Sequence, residues 1–433
     1  MTSPAPPIDD PQAPASLPTL ADELLEDIFL RLPTADDLVR AFASCTTFSR
    51  IITSRQFLRR FRAVHPPPLL GFAAYEGFCP AQPPHPSAPL ASAFADAADF
   101  SYSFVPTGRW NTPWHPRDVR QGRVLLECTP EFEHPAYEYY DIVSVKDLDL
   151  AVCDPLSRRY RLLPRIPKQL RAQYEPLLDC GLFFAPTGED DDETTFGVVC
   201  MGMAHDKTML VVFLFTSVTG QWDIRACSSS WSYLAPVVPV SRYSSSCLDY
   251  EQEQECFYWM MPFVNILLVL DVFSMELSVV SNLASYHMQY DSGKPLIVEG
   301  TDGGTEVFFL ADFFGDGPTN LIRLTKQSDS ESSDEWQLAN TISLPSEYNY
   351  FTLGAAQGFL FLRGVLQDCN SGNSSEDSSD DSARQSVEPP DVEYFSLDVK
   401  TSTEPMKICG MKRYIHTAYP YFGYPPPLAK PAI

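Results

Sequence analysis

Four segments of this chain line up without a gap: VCDPLSRRY ending at Tyr160, LFTSVTGQW ending at Trp222, VLDVFSMEL ending at Leu277 and SLDVKTSTE ending at Glu404. Each runs from two mostly apolar residues to Asp or Thr, and then to Ser or Thr three positions later. The anchor pairs are Asp154 and Ser157, Thr216 and Thr219, Asp271 and Ser274, and Asp398 and Thr401. A short polar side chain at the end of a strand accepts a hydrogen bond from a backbone N–H just ahead, so the chain turns there. A second strand then leaves toward an aromatic or apolar residue. The segments therefore predict one hairpin recurring through the chain.

The first three anchors recur about every 60 residues, and the last follows after about twice that interval. A degraded fifth copy fits the gap: Thr325 and Ser328 in RLTKQSDSESSDEWQL, with an acidic insertion before Trp336. A unit of this size cannot bury its own sheet face, so the repeat predicts blades of a propeller or a similar stacked array. The rest of 66–433 has the matching texture. Short apolar runs such as Arg123–Leu126 and Asp141–Val145 are bounded by turn residues, and the chain carries 39 prolines and 12% aromatics, both suited to many antiparallel strands. Pro66–Pro68 and the Pro/Ala-rich Pro80–Ala98 are expected to be linker and loop.

Residues 17–65 differ in period. Thr19 with Asp22 fits a capping box, and Leu25, Ile28, Phe29 and Leu32 fall at i, i+3, i+4 and i+7. Pro33 interrupts, and Thr34 with Asp37 repeats the start signal for a helix presenting Leu38, Phe42 and Cys45, with Val39 beside them. A third helical segment carries Phe48, Ile51, Ile52, Phe57, Phe61 and Val64 up to His65. So short a helical domain is near the lower limit for folding on its own core. Its apolar stripe is covered either by the rest of the chain or by a partner.

Here the residues resemble a family. Leu20-Ala21, Leu24-Leu25, Ile28-Phe29-Leu30, Leu32-Pro33, Leu38, Cys45, Phe48 and Arg50 are similar to an F-box, with Ala21 in place of the usual Pro and Phe48 in place of the usual Trp. Downstream, Asp154–Ser157 with Leu163-Pro164, Phe257–Trp259, Leu268–Asp271, Tyr394–Asp398, Tyr419–Phe422 and Pro425–Leu428 resemble the β-propeller-like F-box-associated domain of plant F-box proteins. The resemblance implies a small all-α, three-helix F-box followed by a large all-β, propeller-like domain. The expected layout is a disordered tail over 1–16, the F-box over 17–65 and the β domain over 66–433. It further implies a non-enzymatic substrate receptor of a cullin–RING ubiquitin ligase. The Skp adaptor, and through it cullin, would be held by Leu20, Leu24, Leu25, Ile28, Phe29, Leu32, Pro33, Leu38, Val39, Phe42, Cys45 and Phe48, and the β domain would receive a protein substrate.

Charge narrows the choice of partner. The formal net charge is −25, so phosphate backbones are repelled and nucleic acid is not expected as a ligand. No apolar run is long enough for a membrane span, and the first residues lack the layout of a signal peptide. With eleven cysteines and no Cys-x-x-Cys pair, reduced core thiols in a cytoplasmic or nuclear protein are the expectation. Acidic, serine-rich stretches at 327–335 and 367–391 cannot offset chain entropy by burial and are expected to be disordered loops, open to an acid-directed kinase. The Arg55, Arg59, Arg60 and Arg62 cluster is expected to pair with acidic residues of a partner or of the β domain.

Catalytic signatures are scarce. No two of the seven histidines have metal-pair spacing, Gly300–Gly304 lacks the context of a phosphate loop, and Asp190–Glu193 lacks that of a calcium loop. No cofactor, metal or catalytic residue is therefore expected. The alternative is a propeller enzyme of glycosidase or oxidase type with the helices as a structural cap, which requires carboxylates from separate strands to converge in a central funnel.

Overall fold

In a computed structural model, the described residues are 20–33, 35–130, 144–172, 174, 177–185, 195–204, 209–228, 248–251, 256–261, 266–271, 276–281, 295–299, 305–311, 319–326, 336–366, 392–400, 404–411 and 418–423. The N-terminal tail over 1–16 and both acidic stretches lie outside them, as do Gly300–Gly304 and Asp190–Glu193. The chain divides into two compact units at Pro67/Pro68.

The first unit is helical, and it has four helices where three were expected: α1 (Asp22–Leu30), α2 (Ala35–Ser44), α3 (Thr46–Ile52) and α4 (Arg55–Val64). The third expected helix is split because the Ser54 side chain accepts a hydrogen bond from Phe57 N and starts a new N-terminus. The first helix starts at Asp22 behind Ala21, without a side-chain cap, and Asp22 and Glu23 in its first turn complement the helix dipole instead. Leu25, Phe29, Leu38, Ile51, Ile52, Phe57, Leu58 and Phe61 form its core. Arg60 pairs with Glu26 and Asp27 of α1 (2.9 and 3.3 Å) and Arg50 with Asp22 (2.7 Å), so Arg60 and Arg50 are neutralised inside the unit.

The second unit is a β-propeller of five four-stranded antiparallel blades, with one three-stranded sheet made from both ends of the chain. That sheet comes first in the chain: β1 (Leu69–Ala74) and β2 (Gly77–Pro80), with the last strand, Ala418–Phe422, paired on the free side of β1. Gly71 is required there, because its φ is +145° and a Cβ would come within 2.1 Å of the Cys79 carbonyl oxygen. Next comes α5 (Ala88–Ala97), in a stretch expected to be loop. Its Pro89 sits in the first turn, where no amide is needed, and Ala91 and Phe94 pack into the adjoining core.

Blade 1 is β3 (His115–Arg120), β4 (Arg123–Cys128), β5 (Asp149–Asp154) and β6 (Arg159–Leu163). A short helix, α6 (Lys168–Arg171), leads to blade 2: β7 (Leu177–Ala185), β8 (Gly197–Ala204), β9 (Leu210–Thr216) and β10 (Gln221–Ser228). Blade 3 is β11 (Leu248–Glu251), β12 (Cys256–Met261), β13 (Ile266–Asp271) and β14 (Leu277–Ser281). Blade 4 is β15 (Leu296–Glu299), β16 (Thr305–Ala311), β17 (Asn320–Lys326) and β18 (Trp336–Ser343). Blade 5 is β19 (Tyr348–Ala356), β20 (Phe359–Leu366), β21 (Val392–Asp398) and β22 (Met406–Met411), followed by β23 (Ala418–Phe422).

The five repeat anchors all lie on the third strand of a blade: Asp154, Thr216, Asp271 and Asp398 at its end, Thr325 one residue before it. Asp154 accepts hydrogen bonds from Leu156 N, Ser157 N and Ser157 Oγ (2.9, 3.2 and 2.6 Å). Thr216 and Thr219 join through their hydroxyls at 2.7 Å. Asp398 accepts from Lys400 N at 2.8 Å. Between blades the apolar faces form the core. Leu125, Leu150, Val152 and Leu163 of blade 1 pack with Leu182, Phe184, Val198 and Phe213 of blade 2. The other face of blade 1, with Val124, Leu126, Ala151 and Cys153, packs on the three-stranded sheet and on Phe361 and Tyr394 of blade 5.

Candidate active site

Strands β3, β7, β11, β15, β19 and β23 each end their sheet, and they contact one another across blade boundaries. They are the inner edges of the ring, and their outward N–H groups need partners. Asp118 on β3 supplies one. Its Oδ2 accepts a hydrogen bond from Phe184 N of β7 at 2.8 Å, and its Oδ1 accepts from Val119 N at 2.8 Å. The residue keeps partial exposure, while its carboxyl is enclosed where β3 meets β7. Burial pushes this carboxyl above the usual carboxylate range, against the opposing pull of Arg120 and the two amides.

A second carboxylate lies on the same face of blade 1. Asp118 stands opposite Leu125 on β4, and Leu125 faces blade 2. Glu127 is two residues further along β4 and so projects from that face too. Diagonal cross-strand positions of this kind are about 7–8 Å apart. Glu127 is buried and pairs with Arg117 at 3.5 Å. Arg117 occupies the bulge between Pro116 and Asp118, which re-aims the strand at this point. His115 stands opposite Glu127, and its ring stacks on exposed Tyr75 at 3.7 Å between centroids, with planes 9° apart. A carboxyl whose charged form is disfavoured by burial, an Arg-paired carboxylate and a stacked aromatic pair thus lie on or against β3 and β4. None of them was singled out from the sequence, because Asp118 meets Phe184 across 66 residues and no local spacing marks the pair. Among the described residues no group of three potential metal ligands assembles.

The residues expected to hold an adaptor are in the helical unit, and the structure divides them. Leu25, Phe29 and Leu38 are buried in that unit's own core, with Leu32, Phe42 and Phe48 packed half-buried against it. Their removal from solvent leaves Leu20, Leu24, Ile28, Pro33, Val39 and Cys45 exposed. Leu24 and Ile28 stand at i and i+4 of α1, so they share one outward face, and Leu20 is exposed just before the helix. Five other described cysteines, Cys79, Cys128, Cys153, Cys200 and Cys409, are buried free thiols, and burial pushes Cys79 and Cys409 up to about 12. No described helix is long and apolar enough to cross a membrane.

No family model matches the chain, so membership of the F-box family and a plant origin are not supported. No curated protein matches it either. Solved structures do align with the propeller. A putative 6-phosphogluconolactonase from Bacteroides uniformis is 11% identical over 68% of this chain and 70% of its own, with a TM-score of 0.34. An α-L-arabinanase from Penicillium chrysogenum is 12% identical over 68% and 91%, with a TM-score of 0.30. An α-L-arabinofuranosidase from Fusarium graminearum is 8% identical over 67% and 78%, with a TM-score of 0.33. These likenesses are too loose to assign this chain a fold or a role, and the substrates in those names stay with those proteins; the propeller is read from the strand order itself.

Two expectations are corrected accordingly. The chain is not assigned as the non-catalytic substrate receptor of a ubiquitin ligase, because no F-box family model matches it. The F-box resemblance rested on an apolar pattern that any small helical core with an outward stripe satisfies. The propeller itself stands.

Proposed function

We propose that this protein is a propeller enzyme that uses acid–base chemistry at the β3–β4 site. The observation that carries it is the Asp118 carboxyl, held between blades 1 and 2 by Phe184 N and pushed by burial toward its protonated form, the form from which it can donate a proton. Glu127, on the same face and paired with Arg117, is its partner carboxylate. Two carboxyl groups in unlike surroundings are the arrangement that hydrolysis of a glycosidic bond requires: one protonates the leaving oxygen, and the other takes the proton of the attacking water. Tyr75 stacked on His115 offers a flat aromatic face against which a sugar ring can rest.

The test is turnover of a panel of aryl glycosides and an aldonolactone by the purified full chain. The expected result is activity that falls as pH rises through the Asp118 titration and is lost in Asp118→Asn while circular dichroism shows the propeller still folded. Absence of turnover across the panel, or full activity in Asp118→Asn, overturns the proposal.

The helical unit supports a second, separate role as a docking module of F-box type. Leu24 and Ile28 on one face of α1, together with exposed Leu20 and Val39, leave apolar area in water that a partner would cover. The Skp adaptor named by the resemblance is the first partner to test, by co-purification with Ile28→Asp as the control. Binding that survives this change places the interface elsewhere.

A further inference from the structure

The three-stranded sheet of β2, β1 and β23 lacks the fourth strand that each of the five blades has, and α5 packs on it. Ala91 of α5 is fully buried there. The Phe94 ring lies 5.5, 5.9 and 5.0 Å from those of Phe78, Phe100 and Tyr421. The start of this helix is held in an unusual way. Ser87 at its N-cap makes no side-chain cap, and Pro89 has no amide to satisfy. Two amides at this start, Ser87 N and Ala88 N, are both served by buried His85. Its ring Nδ1 accepts from Ser87 N at 3.2 Å, and its carbonyl accepts from Ala88 N at 3.0 Å. His85 N in turn donates to Gln82 O at 2.9 Å, and Gln82 is tied to Ile408 O and Gly410 N of β22.

Because Ser87 N is a donor, this geometry needs a bare Nδ1. Imidazolium carries a proton on both ring nitrogens. Its formation would set two N–H groups against each other and place a positive charge at the N-terminal, already positive, end of the α5 dipole. Nothing packed around the ring offsets that charge. Strands β1 and β2 carry no acidic or basic residue, and Asp96 of α5 lies in its last turn. On β22 Lys407 is paired with Glu393. The Cys79, Cys409 and Tyr421 side chains are pushed up by burial and stay neutral, and Glu76 before β2 acts on Cys79. On the His85 ring burial alone acts, and it lowers the pKa from the ordinary histidine value.

We propose that His85 is a pH-sensitive latch that holds α5 on the three-stranded sheet and lets it go when the ring takes up a proton. With α5 released, its ring binds the proton at the ordinary histidine pKa of about 6.5, and with α5 docked only below it. Docking is therefore fully favoured above that value and weakens as pH falls from there through the lowered, folded one. What release uncovers is the aromatic face of Phe78, Phe100 and Tyr421.

The experiment measures amide hydrogen exchange over Ala88–Ala97 in the full chain, corrected for intrinsic rates. Between about pH 7.5 and about pH 5 the protection of α5 is expected to fall by about fivefold or more. In His85→Asn, whose short side chain offers an oxygen to the amide two residues on and takes no proton, it is expected to stay constant. In His85→Ala, which has no acceptor, it is expected to be low at both values. Protection that does not fall in the wild type, or that falls equally in His85→Asn, overturns the proposal. So does His85→Ala as well protected as the wild type at the higher pH. Should His85→Asn be loose throughout, the wild-type ring decides through its NMR titration. A midpoint below the ordinary histidine value that tracks the loss of protection supports the latch, and any other midpoint overturns it.

Discussion

The helical unit and the propeller handle apolar surface in opposite ways. Among the described residues the helical unit has eight buried side chains at its core and leaves Leu24 and Ile28 outside on one face of α1. The blades interleave their faces with their neighbours, so Phe213, Phe215, Phe308 and Phe361 are almost wholly removed from water. The large apolar side chains that the described propeller leaves in view, such as Tyr75, Val218 and Leu338, are scattered over separate elements. A small helical core has no second layer to cover its remaining face, whereas a ring of blades covers both faces of every sheet. The same cavity should therefore be felt very differently in the two units.

The largest effect is expected from Phe57→Ala. Phe57 is fully buried against Phe29 and Phe61, so truncation costs about 3–5 kcal/mol. That is comparable to the whole stability of so small a unit. Calorimetry should show the helical transition lost at 25 °C while the propeller transition persists. Phe213→Ala carries a similar local cost, but the propeller's larger unfolding entropy should spread it into a downshift of a few degrees. Equal shifts from the two changes would mean that the units do not unfold separately.

Acid–base behaviour separates the units next. The Asp118 carboxyl binds its proton more tightly in the folded ring than in the unfolded chain, because burial penalises its charged form. Stability from this group is thus fully present below the ordinary carboxylate pKa and is lost as pH rises through the raised, folded value. The propeller transition of Asp118→Asn should lack that downward slope, and the helical transition should be indifferent to it. A slope unchanged in the variant would assign it to another carboxyl.

Much of the propeller was legible from Asp154, Thr216, Asp271, Thr325 and Asp398, because a turn anchored by a short polar side chain is a local event that recurs with the blade. The buried halves of α1 and α2 were legible from their period for the same reason. Other features depend on distance. The three-stranded sheet joins Leu69–Ala74 to Ala418–Phe422, and Asp118 finds its amide in another blade; neither contact leaves a mark in nearby residues. The helix at Ala88–Ala97 was missed because Pro89 reads as a breaker, although the first turn tolerates it. The two-residue turns Gln121-Gly122 and Gln357-Gly358 were missed as well. All four residues have positive φ, yet Gln is an unusual first residue for such a turn. As for the function, fold and pattern left two classes open, and only the carboxyl pair on β3 and β4 points to one.

Within the propeller the repeated turns are not of equal strength. Asp154 accepts three hydrogen bonds, whereas Thr216 has one short hydroxyl contact and a long one from Thr219 N at 3.4 Å. Asp154→Ala should therefore lower stability by about 1–2 kcal/mol and Thr216→Ala by roughly half as much. Denaturant midpoints of the propeller transition would rank them, and the reverse order would show that the turn is held by its backbone alone.

The smallest effect on stability should come from the outward stripe. Leu24 and Leu25 are neighbours in sequence, with relative exposures of 53% and 7%. Leu25→Ala should cost about 2–5 kcal/mol through the cavity it opens. Leu24→Ala removes a side chain already in water, and it should change stability by no more than about 0.5 kcal/mol. The same pair should sort in reverse for docking, where Leu24→Ala weakens capture of a partner while the helical fold, read by circular dichroism, is retained. If Leu24→Ala instead destabilises the helical unit as much as Leu25→Ala does, then Leu24 is covered in the folded protein, and the stripe is part of the core rather than a surface held open.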